Sequence, residues 1–434
     1  MNLPLRTILL GLGIVATVFA VLIFSGKIPI GNKKDLPQGE VVLWGTYPES
    51  VGNDLVQEFN ATTKDYRVTY KEVREEGFEQ RLLEALASGK GPDLILAPYQ
   101  IILSQQSRIY PFPVASISEK LYKDTYIDGA NVLFTPRGAL ALPISVEPLV
   151  LFYNRTLFSQ KGVVNPPMYW DEVASYAPIL TSLDSRGKFL TSAIALGSPT
   201  VPFTKDILMA IVGQLGQTPV VRQYNASGEP YYSVIANDPV ADGGVNPLSS
   251  AVRFFVQFGD PNQKAYSWNQ YSGNARDQFL AEKLAMYIGY SGDLQVLRSE
   301  NPRADISMTM FPQTRGYNTL ATGMKLTAIA TLSSTKNPLT ALTVQSQFGS
   351  GVIAQALATS IGALPASRQF AATPGLDPVL ARSMLVARGW YDNFYRESDG
   401  RVSTMIADVL ANRQDLTDAV TIFVSRLQDL YTGR

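Results

Sequence analysis

Phe279-Leu-Ala-Glu-Lys-Leu-Ala-Met-Tyr-Ile-Gly-Tyr-Ser-Gly-Asp-Leu-Gln-Val-Leu-Arg298 packs several structural signals into one short span. A helix ends near Glu282-Lys283. The apolar run Leu284 to Ile288 reads as a buried strand. Gly289, Ser291 and Gly292 make a bend that favours small residues. Leu294 to Leu297 starts a new helix, with Ser291 or Asp293 placed to cap it. In open α/β sheets, ligands sit beyond the carboxyl ends of strands, where loops turn into helices. Tyr290 to Asp293 is therefore either a ligand-facing loop or a plain β–α turn.

The flanking sequence repeats the alternation. Glu40 to Trp44 reads as a strand. Asn53 to Asn60 reads as an amphipathic helix with Leu55, Val56 and Phe59 on one face. Tyr66 to Val73 alternates like a second strand. Gly77 to Ser88 has Phe78, Leu82, Leu83 and Leu86 at helical spacing, and Asp93 to Ala97 is a buried strand. Strands alternating with helices imply a parallel-type α/β sheet. Pro143 and Pro148 break the apolar segment Ala139 to Tyr153, which predicts two strands joined by a bend at Ile144 to Glu147. Gln217 to Val245 reads as a polar surface excursion. Helices are predicted over Thr204–Gly216, Pro247–Phe258, Asn337–Gly349, Gly351–Thr359, Asp377–Ala387 and within Val402–Tyr431, and strands over Asp305–Phe311 and Met324–Thr331.

Composition narrows the function classes. The 434 residues suggest two or three domains or two large lobes. At 46% hydrophobic residues, a sizeable core needs no covalent staples. The 37 basic and 37 acidic residues balance, which argues against a nucleic-acid partner. With no Cys there is no disulfide, thiolate nucleophile or Cys-ligated zinc. With no His, Ser-His-Asp chemistry and His-metal sites are excluded. Carboxylates, Lys and Tyr leave enzyme chemistry open, but the commonest catalytic toolkits are gone, and the expectation is a protein with no catalytic residue, metal or cofactor.

Ile8 to Phe24 is an uninterrupted apolar run behind Arg6, close to the shortest length that spans a bilayer. A convincing cleavage site is missing after it, and a lipoprotein signal needs a Cys. The expectation is a single-span anchor, with a cleaved signal as the alternative. Lys27, Lys33 and Lys34 on the far flank blur the positive-inside rule. Gly31 to Gly39 reads as a tether. Gly11-Leu-Gly-Ile-Val-Ala16 matches a dinucleotide fingerprint but precedes no βαβ unit, so it carries no weight.

An ordered series of segments resembles the extracellular solute-binding proteins of ABC importers, in particular the group that takes up oligosaccharides and related polar solutes. Val41-Val-Leu-Trp-Gly45 is similar to the family's first strand, and Gly91-Pro-Asp-Leu94 to its "PD" strand. Leu142-Pro-Ile-Ser-Val-Glu147, Leu151-Phe-Tyr-Asn154 and Leu157-Phe158 resemble its crossing segment. Pro166-Pro with Trp170-Asp-Glu-Val173, Phe279 to Leu294, and Gly362-Ala-Leu-Pro-Ala-Ser-Arg368 continue the match. No single motif is specific; their order and spacing are.

The resemblance implies a two-lobe periplasmic-binding-protein-like α/β fold with a ligand cleft between the lobes; the apolar run Ile8 to Phe24 adds the expectation of an N-terminal transmembrane helix before it. Residues 1–39 would be the anchor or signal segment and linker, residues 40–146 plus 308–360 one lobe, and residues 147–307 plus 361–434 the other. The protein would capture a solute, expected to be a carbohydrate, by lobe closure. It would pass the solute to ABC permease subunits from the extracytoplasmic side of the cell membrane. A ligand-sensing receptor of the same fold is the runner-up, and a carboxylate-dependent glycoside hydrolase the third reading.

Flat aromatic faces and fixed hydrogen-bonding groups suit a neutral polar solute. Trp44, Tyr47 and Tyr99 follow the early strands. Glu147 lies in the crossing segment, where the family often has a ligand-bonding acid; a structural salt bridge is the alternative. Trp268 and Tyr271 occupy a polar loop, and Tyr290 and Ser291 a loop that commonly contacts solute in the family. Trp170 is expected to pack beneath a helix start. The sequence departs from many sugar binders at Gly292-Asp293, where a Trp often stands. That departure weakens the stacking argument, so the loop supports solute binding better than it supports sugar in particular.

Overall fold

A computed structural model describes residues 36–240 and 244–433. The expected anchor at Ile8 to Phe24 and most of its tether lie outside the described residues. Among those residues no helix is long and apolar enough to cross a membrane. The described residues divide into two compact units, one within 1–146 and 325–373 and the other within 147–324 and 374–434.

The first unit is built on parallel pairing. Gly39–Gly45 lies between Tyr66–Glu72 and Leu94–Pro98, with Val41 opposite Val68 and Leu43 opposite Leu94. Met324–Leu332 runs antiparallel beside Leu94–Pro98, with Ile329 opposite Leu96. Leu94 to Ala97 are fully buried, as a strand covered on both faces should be. The helix Glu49–Thr62 packs Phe59 against Phe348 of Pro338–Phe348, with ring centroids 5.0 Å apart. These spans match the predicted elements to within a few residues, because their apolar periodicity is strong.

In the second unit Leu284–Tyr290 pairs antiparallel with the strand through Leu151, and Ile306–Met310 pairs antiparallel with the same residues. Phe189–Ile194 lies parallel beside Leu284–Tyr290, with Ile194 opposite Met286. The core gathers Phe152, Ile194, Leu208, Phe255, Phe279, Met286 and Phe423 from strands and helices alike.

Four expectations change. Leu142–Asn154 is one strand, with no bend at Ile144 to Glu147. Proline fits an extended strand where its missing N–H is not required. Pro143 and Pro148 both fall outside the registers with Leu364–Pro365, Leu284–Tyr290 and Ile306–Met310. The excursion Gln217 to Val245 contains a hairpin, Val220–Tyr224 with Pro230–Val234, anchored by buried Val220 and Val234.

The helix Asp293–Glu300 has Gly292 at its N-cap and no side-chain cap, so neither Ser291 nor Asp293 plays that part. Asp293 sits in its first turn, where a carboxylate favours the helix dipole. The changeovers between units also move. The first falls between Val146 and Glu147, but the second follows Met324 and the third Thr373. Pairing of Ile306–Met310 with Val150–Asn154 holds residues 308–324 in the second unit. Pairing of Leu364–Pro365 with Ser145–Val146 holds residues 361–373 in the first.

Candidate solute-binding site

In the first unit Tyr47 and Tyr99 lie beyond the carboxyl ends of Gly39–Gly45 and Leu94–Pro98, while Trp44 is within the first of these strands. Tyr47 is half-buried, and its hydroxyl donates to Thr327 Oγ1 at 2.9 Å. It also hydrogen-bonds Ser145 Oγ at 3.3 Å. The Tyr47 carbonyl accepts from Tyr70 Oη at 2.7 Å, and burial pushes the Tyr70 phenol well above its usual range. Both ends of Tyr47 are therefore held. Trp44 is buried, with Lys71 Nζ 4.8 Å from its ring centroid. Its ring is thus covered on one face by a cation rather than bare. Tyr99 is buried at the first position of the helix Tyr99–Ser104. Asp93 serves the backbone, accepting from Val42 N at 2.9 Å and from Thr335 Oγ1 at 2.5 Å.

In the second unit the loop after Leu284–Tyr290 is pinned at both ends. Ser291 N donates to Pro148 O at 3.0 Å, next to half-buried Glu147. Ser291 itself is buried. Gly289 is crowded: a Cβ would lie 2.8 Å from Tyr287 Cε1 and 2.9 Å from Asp293 Oδ2, so one of these side chains would have to shift. Tyr290 is half-buried, and its hydroxyl donates to Asp206 Oδ2 at 2.9 Å. The ring of Phe203 meets it edge-on, with centroids 4.7 Å apart.

Phe203 and Asp206 were not among the residues singled out from the sequence. Both belong to the entry of the helix Thr204–Gln214, with Phe203 at its N-cap and Asp206 in its first turn. Phe203 has φ 61°, the left-handed region that a bulky residue occupies at a cost. That backbone aims its ring at Tyr290. Periodicity could mark this helix, but not a single strained φ.

Burial raises the Asp206 carboxyl above its usual range, against the opposing pull of Lys205 and of the Tyr290 hydrogen bond. Lys205 turns the other way. Its Nζ lies 2.7 Å from Asp392 Oδ2 and donates to Tyr395 O at 2.7 Å and Ser398 Oγ at 3.1 Å. Ser398 Oγ donates in turn to Asp392 Oδ1 at 2.8 Å. Burial raises Asp392 as well, although Lys205 resists it. One helix start thus carries a buried ion pair behind and an acid–phenol pair beside the Tyr290 loop.

The loop candidates separate. Trp268 is 1% exposed and belongs to the core cluster, while Tyr271 is 85% exposed. Trp170 packs as expected: its Nε1 donates to Gln214 Oε1 at 2.9 Å and its ring meets Phe311 edge-on. Among the described residues no group of three or more acidic side chains is placed to hold a metal ion. Within the second unit, Glu147 and Tyr290 offer a carboxyl and a hydroxyl suited to orienting the hydroxyls of a neutral solute; within the first, Tyr47 offers a hydroxyl.

The profile of the bacterial extracellular solute-binding proteins matches residues 46–360. Solved structures share the fold at low sequence identity. The cyclic α-maltosyl-1,6-maltose binding protein from Arthrobacter globiformis has a TM-score of 0.72 at 16% identity, over 91% of this chain and 99% of that one. An ABC substrate-binding protein from Listeria monocytogenes, solved in complex with cycloalternan, has a TM-score of 0.67 at 15% identity, over 91% and 99%. The GacH receptor of Streptomyces glaucescens, solved without ligand and with acarbose, has a TM-score of 0.66 at 16% identity, over 91% and 99%. No curated protein matches by sequence.

Proposed function

The chain belongs to the bacterial extracellular solute-binding protein family, and we propose that it captures a neutral polar solute of the carbohydrate class for an ABC permease. The single observation carrying the reading on this chain's own residues is the Tyr290–Asp206 pair. It brings a phenol at the end of the Leu284–Tyr290 strand together with a carboxyl from the first turn of the helix Thr204–Gln214. Carboxylates and tyrosine hydroxyls fix hydroxyl geometry, and the tyrosine ring adds a flat apolar face. The saccharides named with the structural neighbours support the same class. Tyr47 and Glu147 join Tyr290 and Ser291 as first choices for solute contact. Trp44, Tyr99 and Trp268 are each buried, which favours core packing over solute contact for them.

Residues 8–24 anchor the protein in the cell membrane in this reading, with the folded part on the extracytoplasmic side. The test is a thermal-shift series on the full chain with maltotetraose, mannotriose, an amino acid and a dicarboxylate. Ligand at about a hundred times Kd stabilises a fold by about 2.7 kcal/mol, which a thermal shift resolves. A rise with a saccharide alone is the expected result. A rise only with the charged ligands would replace the carbohydrate by another solute class.

A further inference from the structure

We propose that the groove beside Tyr271 is a second saccharide-contact surface, contained wholly in the second unit. This proposal rests on the carbohydrate reading above and adds a separate place of contact to it. The groove is lined by Gly197, Ser198, Tyr266, Asn269, Tyr271 and Arg413, among others. Asp206, Tyr290 and Ser291 do not line it.

Three observations point to its ligand. First, Tyr271 holds 85% of its surface in solvent, yet its place in the chain is fixed. Asn269 Oδ1 accepts from Tyr271 N at 2.9 Å and from Ser272 Oγ at 3.2 Å, while Asn269 Nδ2 donates to Tyr266 Oη at 2.8 Å. Beneath this turn Trp268 is locked in the core, and Ser267 Oγ donates to Ile194 O at 2.9 Å. An exposed ring on a braced turn is a stacking platform that loses little entropy on binding.

Second, the back of the groove is bare backbone. Gly197, at φ 78°, and Gly259 meet so closely that a Cβ on Gly259 would stand 1.8 Å from Gly197 O. The turn holding Gly197 begins three residues beyond the end of Phe189–Ile194, the position where open α/β sheets place ligands. Third, the groove's one lysine or arginine is compensated. Arg413 Nε donates to Asp408 Oδ1 at 2.7 Å, and the remaining lining combines hydroxyls, amides and backbone with an apolar side made by Pro199, Pro261 and Leu410, which suits the C–H faces of a sugar ring. A flat ring, neutral donors and acceptors and a paired charge together select a neutral polyhydroxylated ligand over an anion or a cation.

Hydrogen–deuterium exchange on the full chain, with and without maltotetraose or mannotriose at millimolar concentration, tests this. The expected result is ligand-dependent protection of residues 197–200 and 266–272. Tyr271→Ala should weaken the saturating concentration for that protection at least tenfold, while Tyr290→Phe leaves it in place. Protection confined to residues 288–294 would overturn the second surface and leave the carbohydrate reading standing. Protection nowhere would overturn both. Unchanged protection of 266–272 in Tyr271→Ala would also overturn the proposal, since the ring would then contribute nothing.

Discussion

Tyr290 Oη donates to Asp206 Oδ2 at 2.9 Å, tying the end of one strand to the first turn of a helix far away in sequence. The same turn sends Lys205 into a buried ion pair with Asp392. Two neighbouring side chains thus serve different ends, one toward the candidate site and one toward stability.

The acid of that pair titrates in a defined direction. Burial raises the Asp206 pKa above its ordinary 3.8 in the folded state. A raised carboxyl contributes stability that is fully present below 3.8 and is lost as the pH climbs through the folded value. Asp206→Asn does not titrate, so its unfolding midpoint in urea should vary less with pH across the acid range. Asp392 is raised in the same sense, so some slope should survive. A pH profile identical to that of the parent chain would refute the assignment.

Tyr290→Phe removes one hydrogen bond and keeps the ring on Phe203. The expected stability loss is about 1 kcal/mol, the net worth of an ordinary bond. Solute affinity should fall by about tenfold, read by calorimetry with whichever saccharide gives a thermal shift. An affinity loss without any stability loss would place Tyr290 in contact with solute alone.

Lys205→Met strips the cation from a pair whose side chains are 8% and 1% exposed. Removing one partner of such a pair costs about 3–5 kcal/mol, because the remaining charge stays buried. Lys205→Met with Asp392→Asn should recover a large part of that loss. Equilibrium unfolding of the three chains decides it, and a single-variant loss under about 1 kcal/mol would show that water reaches Asp392.

Trp268 and Tyr271 should part company in mutagenesis. Trp268→Ala empties a core position and is expected to cost about 3–5 kcal/mol. Tyr271→Ala, at the surface, should stay within about 0.5 kcal/mol of the parent. Thermal melts of the two variants provide the comparison.

Gly289→Ala would press a methyl against Tyr287 and Asp293. Overpacking of this kind costs about 1–3 kcal/mol, and here it should also displace the Tyr290 loop. Reduced stability together with weaker solute binding is the expected pair of outcomes. Full stability would mean that the Tyr287 ring moves aside freely.

By itself the sequence determined the alternation of strands and helices. It also determined the absence of Cys and His chemistry and the series of segments that resembles one family. Those features are local: apolar period, small residues at bends, and residue types that are present or missing. Leu43, Leu82 and Leu94, on the apolar faces their periods mark, are fully buried. Prolines misled at Leu142–Asn154, since a proline's cost depends on whether a neighbouring strand needs its N–H. Tertiary structure alone decided that Trp268 is core while Tyr271 three residues later is exposed. It alone decided that Asp206 meets Tyr290, and that Lys205 beside it meets Asp392. The physical reason is common to all three: burial and hydrogen-bond partnership depend on what other segments bring to a position. That cannot be read from the residues on either side of it.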